Sequence, residues 1–390
     1  MDRLNTPTHT HLWNRDFWLM VMASLLLTMS VYMLLPIMPR WLMQEQNFTP
    51  RETGLAMGVY ALGLYLLGGQ CSWLVQRYRR NVVCMWAMAG TAAATAALWY
   101  ADSLHSEFVG LWVILVQRLL LGAAFGLAQM VLSSTLIIDT SESSQRTAAN
   151  HGASWFSRFA LALGPLAGLM ASQAYGFGGA AMAAAGVGVA ALVLVKTVSF
   201  PFRSPEEGVH LVSLDRFFLS QGFVLFLNFL LVSVVVGLVL ALPLQPLFYG
   251  FTMGGLLLAL LAQRFVFREA ELKSEVVSGL LLVLASLLVL LVYPLSPVAP
   301  VLLGLGVGIV ASRFLLFFIK LSRHCQRGTS QSTCFLGWET GVAVGVALGY
   351  GVFYGRPAPL LYTALALTAA ALLMYHLFTH QWFLRHKNRI

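Results

Sequence analysis

The sequence predicts an all-helical membrane protein that crosses the bilayer twelve times and is built as two pseudo-symmetric six-helix bundles. Three observations lead to this prediction. First, 58% of the 390 residues are hydrophobic and only 10% are charged, whereas roughly 25% of the residues of soluble domains are charged. Second, the hydrophobic residues form twelve long runs. Third, segments of the first half recur in the second half.

Each of the twelve runs has the length of a transmembrane helix, which needs about 20 mostly apolar residues. The first run follows Arg3 and Arg15, as in a signal peptide. It is longer than the apolar region of a signal peptide and no small-residue cleavage site follows it, so we expect a retained helix. The predicted spans are 17–39, 53–75, 82–101, 108–134, 150–173, 178–198, 217–241, 244–264, 276–294, 298–320, 332–354 and 358–380.

The basic residues predict the orientation. The side that holds both termini carries eighteen Lys and Arg, and the opposite side carries three, namely Arg40, Arg51 and Arg356. Because cytoplasmic loops are enriched in Lys and Arg, we expect a multi-pass protein of the cytoplasmic (inner) membrane with both termini in the cytoplasm. The net charge of +9 then reflects topology, and we expect no nucleic-acid partner.

The chain is predicted to divide near its middle. Residues 199–215 contain Pro, Gly and several charges, which is typical of a linker, here between halves 1–198 and 216–390. Four segments recur in order at offsets of 181 to 187 residues, which indicates a duplicated unit. They are 74–78 with 261–265, Gly122–Gly126 with Gly304–Gly308, Gln145-Arg146 with Gln326-Arg327, and Trp155 with Trp338. Parallel halves with the substrate between them are typical of one class of secondary transporters.

Three local motifs carry a resemblance to a known family. Span 4 reads R-x-x-x-G-x-x-x-G at Arg118, Gly122 and Gly126, and span 5 reads G-P-L-A-G at 164–168. The loop after span 2 matches G-x-L-x-D-R-x-G-R-R/K at Leu74, Arg77 and Arg80. With these motifs the chain resembles the major facilitator superfamily over nearly its whole length, and in particular its twelve-helix proton-coupled drug and solute antiporters. The resemblance implies a role of the span-4 Arg in proton coupling and associates the span-5 motif with antiport.

The same motifs have structural interpretations. Gly122 and Gly126 let helices approach closely. Gly164 and Pro165, with Gly168 one turn later, allow either a hinge or a static kink. Arg77 and Arg80 act either in gating or only in topology and contact with anionic lipid. The loop motif has lost its Asp, which is replaced by Gln76, and this puts the family's charge relay in doubt.

Charged residues inside spans are energetically costly and usually functional. Glu339 is the only acid predicted to lie well inside a span, whereas Arg118, Arg158 and Arg313 are predicted to be buried and Lys320 lies near an inner helix end. We therefore expect a cavity with net positive charge. The resemblance implies that spans 4, 5, 10 and 11 close the cytoplasmic side, so an ion pair from Glu339 to Arg158 or Arg313 is predicted to bridge the halves.

Glu339 has two interpretations. Burial favours the neutral form of a carboxyl group and a neighbouring Arg favours the charged form, so opening of the gate would let Glu339 bind a proton. Alternatively, Glu339 forms a permanent salt bridge that fixes span 11.

The excess of Arg leads to a second hypothesis, an anionic substrate. Arg118 is suited to bind a carboxylate, sulfonate or phosphate bidentately. Stacking and hydrogen bonds are predicted from Tyr32, Gln129, Asn228, Trp155 and Trp338. The alternative for Arg118 is that it bonds backbone carbonyls or serves the proton path.

The sequence contains no pattern of residues that is typical of an enzyme active site. There is no Walker lysine or phosphate loop, and His376 and His380 have no third ligand for a metal, so we expect neither an enzyme nor a cofactor. The prediction is a monomeric secondary transporter in contact with membrane lipids, which moves a small organic solute by alternating access. Proton-coupled export of an amphipathic or anionic compound is the favoured form. An importer or uniporter of the same fold and a non-transporting membrane sensor are the alternatives.

Overall fold

The structure, a computed structural model, describes residues 12–103, 109–141, 145–200, 208, 210–267, 271–323 and 326–387. These residues form helices and connections and contain no strand. The α-helices are α1 Arg15–Tyr32, α2 Met38–Gln44, α3 Pro50–Leu66, α4 Cys71–Arg77, α5 Arg80–Ser103, α6 Leu111–Val131, α7 Ile137–Asp139, α8 Arg146–Lys196, α9 Phe223–Leu240, α10 Pro246–Phe265, α11 Leu272–Val292, α12 Val298–Leu321, α13 Arg327–Gly351, α14 Pro357–Met374 and α15 His380–His386.

Nine helices of the described part are long and apolar enough to cross a membrane. One of them, α8, has 51 residues, about twice what one crossing needs. It breaks at Gly176, whose φ of +71° lies in the left-handed region that glycine adopts without a steric penalty. Predicted spans 5 and 6 lie on the two sides of this glycine. The prediction of an all-helical, multi-pass membrane protein is confirmed.

The first and eleventh predicted spans correspond to α1 and α13. Helix α1 has only 18 residues and includes Arg15 and Asp16, whereas α13 carries Glu339 and many small polar residues. Neither is among the nine helices that length and hydropathy select. The count of twelve crossings therefore stays a prediction.

Several helices begin at a proline, whose missing N–H has no partner at a helix start in any case. Helix α3 begins at Pro50, α10 at Pro246 and α14 at Pro357. Thr49 and Glu52 also form a capping box at the start of α3, in which each side chain bonds the backbone N–H of the other. Local sequence thus fixes these starts independently of the surrounding lipid.

The helices pack as two groups. In the first group, α1 and α5 pack on α8, and α3 and α5 pack on α6. In the second, α9 packs on α13 and α14, α10 on α12, and α11 on α12 and α14. The groups meet mainly where α3 contacts α13 and where α8 contacts α10. The division at 199–215 stays a prediction, and residues 201–207 and 209 of that segment lie outside the described residues.

Glycine pairs at matching places bring helices together in both groups. Gly63 on α3 faces Gly122 on α6, and Gly255 on α10 faces Gly304 on α12. At each of these positions a Cβ would overlap a backbone carbonyl oxygen of the facing helix, so only glycine allows the approach. The recurrence of Gly122 as Gly304, noted in the sequence, therefore corresponds to the same helix contact made twice.

Candidate functional site

Glu339 and Arg158 lie deeper in the bundle than the predicted spans place them. Helix α8 begins at Arg146 and α13 at Arg327, four or five residues before the predicted starts at 150 and 332. Both residues therefore lie about 18 Å along their helices from the ends predicted to face the cytoplasm, which is near the centre of a hydrocarbon layer about 30 Å thick.

Glu339 is held by two tyrosines of the other helix group. The Tyr32 hydroxyl on α1 donates to its Oε1 at 2.7 Å, and the Tyr60 hydroxyl on α3 donates to its Oε2 at 3.1 Å. The Trp338 Nε1–H in turn donates to the Tyr32 oxygen at 2.9 Å. The Glu339 residue is only 3% exposed. Its carboxyl group thus joins α13 to α1 and α3.

Arg118 lies beside this carboxyl group, with one tyrosine between them. Its guanidinium carbon is 5.0 Å from the centre of the Tyr60 ring, a cation–π contact. Its Nε has no hydrogen-bond partner among the described residues. A small cavity is lined by Arg118, Tyr32, Tyr60 and Glu339 together. We refer to Arg118, Tyr60, Glu339, Tyr32 and Trp338 as the Glu339 cluster.

The structure does not form the predicted ion pair from Glu339 to Arg158 or Arg313. Arg313 instead pairs with Glu275 of α11, within its own helix group. The sequence placed Glu275 just outside predicted span 9, but α11 begins at Leu272, and Glu275 is 1% exposed. Glu339 is therefore not the only buried acid. Arg313 pairs with Glu275 because this carboxylate lies closer to it than that of Glu339. The predicted pair of Arg313 with Glu339 is therefore not formed.

A cavity lies between the two helix groups. Glu339 and Trp338 line it, so it borders the Glu339 cluster. Much of its remaining wall is apolar and comes from Phe229, Leu315 and Phe335, among others.

The opposite wall of this cavity is polar. The Gln129 Nε2 donates to the Ser24 hydroxyl at 3.0 Å, and Ser24 and Ser157 hydroxyls lie 2.8 Å apart. Arg158 lies on the same wall, and its guanidinium carbon is 4.9 Å from the centre of the Trp155 ring. Its Nη1 has no hydrogen-bond partner, and no ion pair of Arg158 occurs within the described residues. An unpaired cation therefore faces the cavity.

The two helix groups touch at both ends of the cavity. Near the end predicted to face the cytoplasm, the His151 Nε2 on α8 lies 2.8 Å from the Ser312 hydroxyl on α12. At the other end, a Cβ on Gly54 would lie 2.6 Å from the Ala347 carbonyl oxygen, so α3 and α13 are in backbone contact there. The cavity thus occupies the middle of the interface.

Other residues singled out from the sequence lie elsewhere. Asn228 is fully buried and donates to the Ala371 carbonyl, so it joins α9 to α14. Lys320 is half-buried in the last turn of α12. Arg77 is exposed at the end of α4, whereas Arg80 pairs with Asp139 after span 4. None of these four lines the central cavity.

The motif glycines make helix contacts. A Cβ on Gly126 would lie 3.0 Å from the Leu64 carbonyl oxygen, and one on Gly164 would lie 2.6 Å from the Tyr32 Cβ. At Gly168 it would overlap the Met33 carbonyl oxygen. Helix α8 keeps helical geometry through Pro165 and loses it only at Gly176. The span-5 motif therefore packs α8 against α1.

Sequence reasoning missed Tyr60, Glu275 and His151. A tyrosine hydroxyl inside a span needs a hydrogen-bond partner, and this signal was available for Tyr60. The polar contact of His151 with Ser312 depends on how α8 and α12 cross, for which the sequence contains no direct signal.

The family comparison agrees with this architecture. A family model described as "Major Facilitator Superfamily" matches residues 20–266. The chain belongs to the Major Facilitator Superfamily. No curated protein sequence matches it. This member of the superfamily is thus an integral, multi-pass membrane protein with the fold of membrane transporters.

Two solved structures share the fold of this superfamily member. One is a bacterial homologue of the iron transporter ferroportin in an outward-facing state, with a TM-score of 0.65, 14% identity and coverage of 95% of this chain and 99% of that chain. The other is the human organic anion transporter MFSD10 (TETRAN), with a TM-score of 0.65, 16% identity and coverage of 92% and 98%. At these identities the likeness concerns the fold alone. The family match points to a transporter rather than an enzyme.

Proposed function

We propose that this protein couples the export of an amphipathic or anionic organic molecule to proton movement across the cytoplasmic membrane, with Glu339 as the proton-binding group. One observation carries the proposal. Glu339 is a buried carboxyl group on the wall of the central cavity, and its hydrogen bonds within the described part of the chain come from neutral tyrosines of the other helix group. Its protonation therefore acts directly on the contact between the groups.

The hydrogen bonds indicate how a proton would act. An ionised carboxylate only accepts hydrogen bonds, whereas a protonated one also donates. A proton on Oε2 would oppose the hydrogen that Tyr60 donates, and Tyr60 would have to turn its O–H away. The bond from Tyr32 would persist, because Oε1 still accepts. The protonated Oε2 would then donate to the Tyr60 oxygen, so proton binding exchanges a charge-assisted hydrogen bond between α13 and α3 for a weaker neutral one and retains the link to α1.

The cavity supports an amphipathic, anionic substrate. Phe229, Leu315 and Phe335 offer an apolar surface, while Arg158 is an unpaired cation on the opposite wall. A carboxylate, sulfonate or phosphate group of the substrate would pair with Arg158. We thus assign to Arg158 the anion-binding role that the sequence predicted for Arg118. The guanidinium of Arg118 lies against the Tyr60 ring instead. Outward direction is supported by the resemblance of 164–168 to the antiporter motif.

The substrate class is tested first by thermal unfolding of the purified full-length protein. Aromatic carboxylates and sulfonates are the probes, and amphipathic cations are the comparison set. A ligand at about 100 times its Kd stabilises the folded protein by about 2.7 kcal/mol. We expect stabilisation by the anions only. Stabilisation by the cations alone would contradict an anionic substrate.

Coupling and direction are tested with the stabilising probe in proteoliposomes. An imposed pH gradient should drive transport of the probe by the wild type and not by Glu339→Gln. The matched control is Glu271→Gln, which removes an exposed carboxylate at the start of α11 and should transport like the wild type. Equal response of all three proteins to the gradient would refute coupling at Glu339. Transport by the wild type that does not respond to the gradient would refute proton coupling.

A further inference from the structure

A second cavity opens at the cytoplasmic ends of the helices, separate from the central one. Its volume is about 350 Å³. Both helix groups contribute to its wall, the first through the ends of α7 and the starts of α5 and α8, the second through the start of α13 and residues 215–216. Its charged lining residues are Arg80, Arg146, Arg216, Arg327, Asp139 and Asp215.

The charges of this cavity do not balance. Arg80 pairs with Asp139, and the Arg216 Nε lies 3.7 Å from the Asp215 Oδ2. Asp139 and Asp215, the two acids of the cavity, are therefore each paired with an arginine. Arg146 and Arg327 form no ion pair within the described residues, and the buried Nε of Arg146 has no hydrogen-bond partner. Two arginines are left over.

The two unpaired arginines occupy equivalent positions in the duplicated chain. Arg146 is the first residue of α8 and Arg327 the first residue of α13. Each follows a glutamine, Gln145 or Gln326, whose side chain does not cap the helix. The first-turn N–H groups of a helix favour anions. The cavity therefore combines two guanidinium groups with two uncapped helix starts, one from each helix group.

We propose that this cavity binds a phosphate group through Arg146 and Arg327. A guanidinium group binds the oxygens of a phosphate bidentately, and two unpaired arginines match its negative charge. The phosphate group belongs either to an anionic lipid of the inner leaflet or to a soluble cytosolic anion.

A bound phosphate would hold the two helix groups together at the cytoplasmic side. The start of α13 is already in contact with the first group there, since a Cβ on Gly328 would lie 2.7 Å from the Ser134 carbonyl oxygen. The Thr135 hydroxyl accepts from the Arg216 guanidinium at 3.2 Å across the same interface. The phosphate group therefore acts as a ligand that stabilises the closed cytoplasmic side.

The test measures thermal unfolding of the full-length protein in detergent with increasing inorganic phosphate, against chloride at equal ionic strength. The variant R146Q/R327Q removes both unpaired arginines. The control R77Q/R264Q removes the same charge from exposed arginines of α4 and α10, which do not line the cavity. We expect phosphate to stabilise the wild type and the control, and its affinity for R146Q/R327Q to fall about tenfold or more, the equivalent of about 1.4 kcal/mol.

A second arm identifies the source of the phosphate group. The same proteins are placed in nanodiscs of phosphatidylcholine with and without phosphatidylglycerol. Stabilisation by phosphatidylglycerol that requires Arg146 and Arg327 assigns the site to lipid, whereas a response to inorganic phosphate alone assigns it to a soluble anion. If neither probe stabilises the wild type, or if both double variants lose the response alike, the proposal is wrong. Should R146Q/R327Q not fold, the single variants R146Q and R327Q are measured in the same way.

Discussion

Tyr60 on α3 donates its hydroxyl hydrogen to the Oε2 of Glu339 on α13 over 3.1 Å, while its ring carries the guanidinium of Arg118. One aromatic side chain therefore contacts both an acid and a base in the middle of the bundle. The sequence predicted Arg158 or Arg313 as the partner of Glu339, whereas the observed partner Tyr60 is a neutral hydrogen-bond donor. A change in the Glu339 carboxyl group thus reaches Arg118 through the tyrosine.

The variant Tyr60→Phe tests this relationship. The ring that contacts Arg118 remains and only the hydroxyl is lost. A hydrogen bond to a charged group contributes about 1.5–3 kcal/mol, so we expect a loss of this size in unfolding free energy under alkaline conditions, where a carboxylate is ionised. The loss should shrink under acidic conditions, because a protonated carboxyl group accepts more weakly.

The control is Tyr65→Phe, which removes the hydroxyl that lies 2.9 Å from the Thr340 hydroxyl at the same α3–α13 interface. No acid takes part in that contact, so the effect of Tyr65→Phe should not change with pH. The same pH dependence in both variants would argue against a special role of Tyr60.

Arg158 is expected to contribute more to anion binding than Arg118. Arg158→Gln removes the unpaired cation of the central cavity and should weaken binding of an organic anion about tenfold or more, since charge-assisted hydrogen bonds are the strong ones. Arg118→Gln should change the affinity much less, because Arg118 contacts the Tyr60 ring. Isothermal titration with the stabilising anion compares the two. The reverse order would restore Arg118 as the anion ligand.

The pair of Arg313 and Glu275 is expected to be structural. Removal of one partner leaves a buried charge without compensation and typically costs about 3–5 kcal/mol, so Glu275→Gln and Arg313→Gln should each unfold at lower temperature. The double variant should lose less than the sum of the two single losses. Glu271→Gln, on the exposed side of the same helix start, should leave stability unchanged. Additive losses would show that the two side chains act independently.

Gly168→Ala should damage the packing of α8 on α1. The added Cβ would overlap the Met33 carbonyl oxygen, and overpacking typically costs about 1–3 kcal/mol. The matched control is Gly186→Ala on the same helix, where a Cβ meets no atom within 4 Å. Thermal unfolding of the two variants makes the comparison. A stable Gly168→Ala protein would show that α1 is free to shift.

The fold was accessible from the sequence because it depends on patterns along the chain. Runs of apolar residues, the distribution of Lys and Arg, and the recurrence of Gly122 as Gly304 need no knowledge of neighbours. The partner of Glu339 depends on how α13 is rotated against α1 and α3, and a rotation of one residue turns a side chain by about 100°. Periodicity alone does not set that rotation. Glu275 was misplaced because the start of α11 lies four residues earlier than predicted.

Gly176 leaves no spare chain between the fifth and sixth predicted crossings, because α8 resumes directly after it. The two arms of α8 are thus joined through a single non-helical residue. The first arm carries Arg158 and His151. When its end at Gly176 shifts, the adjoining end of the second arm shifts with it. The positions of the two arms are therefore constrained at this end of α8, and an insertion at Gly176 would lengthen the connection while leaving every cavity residue in place.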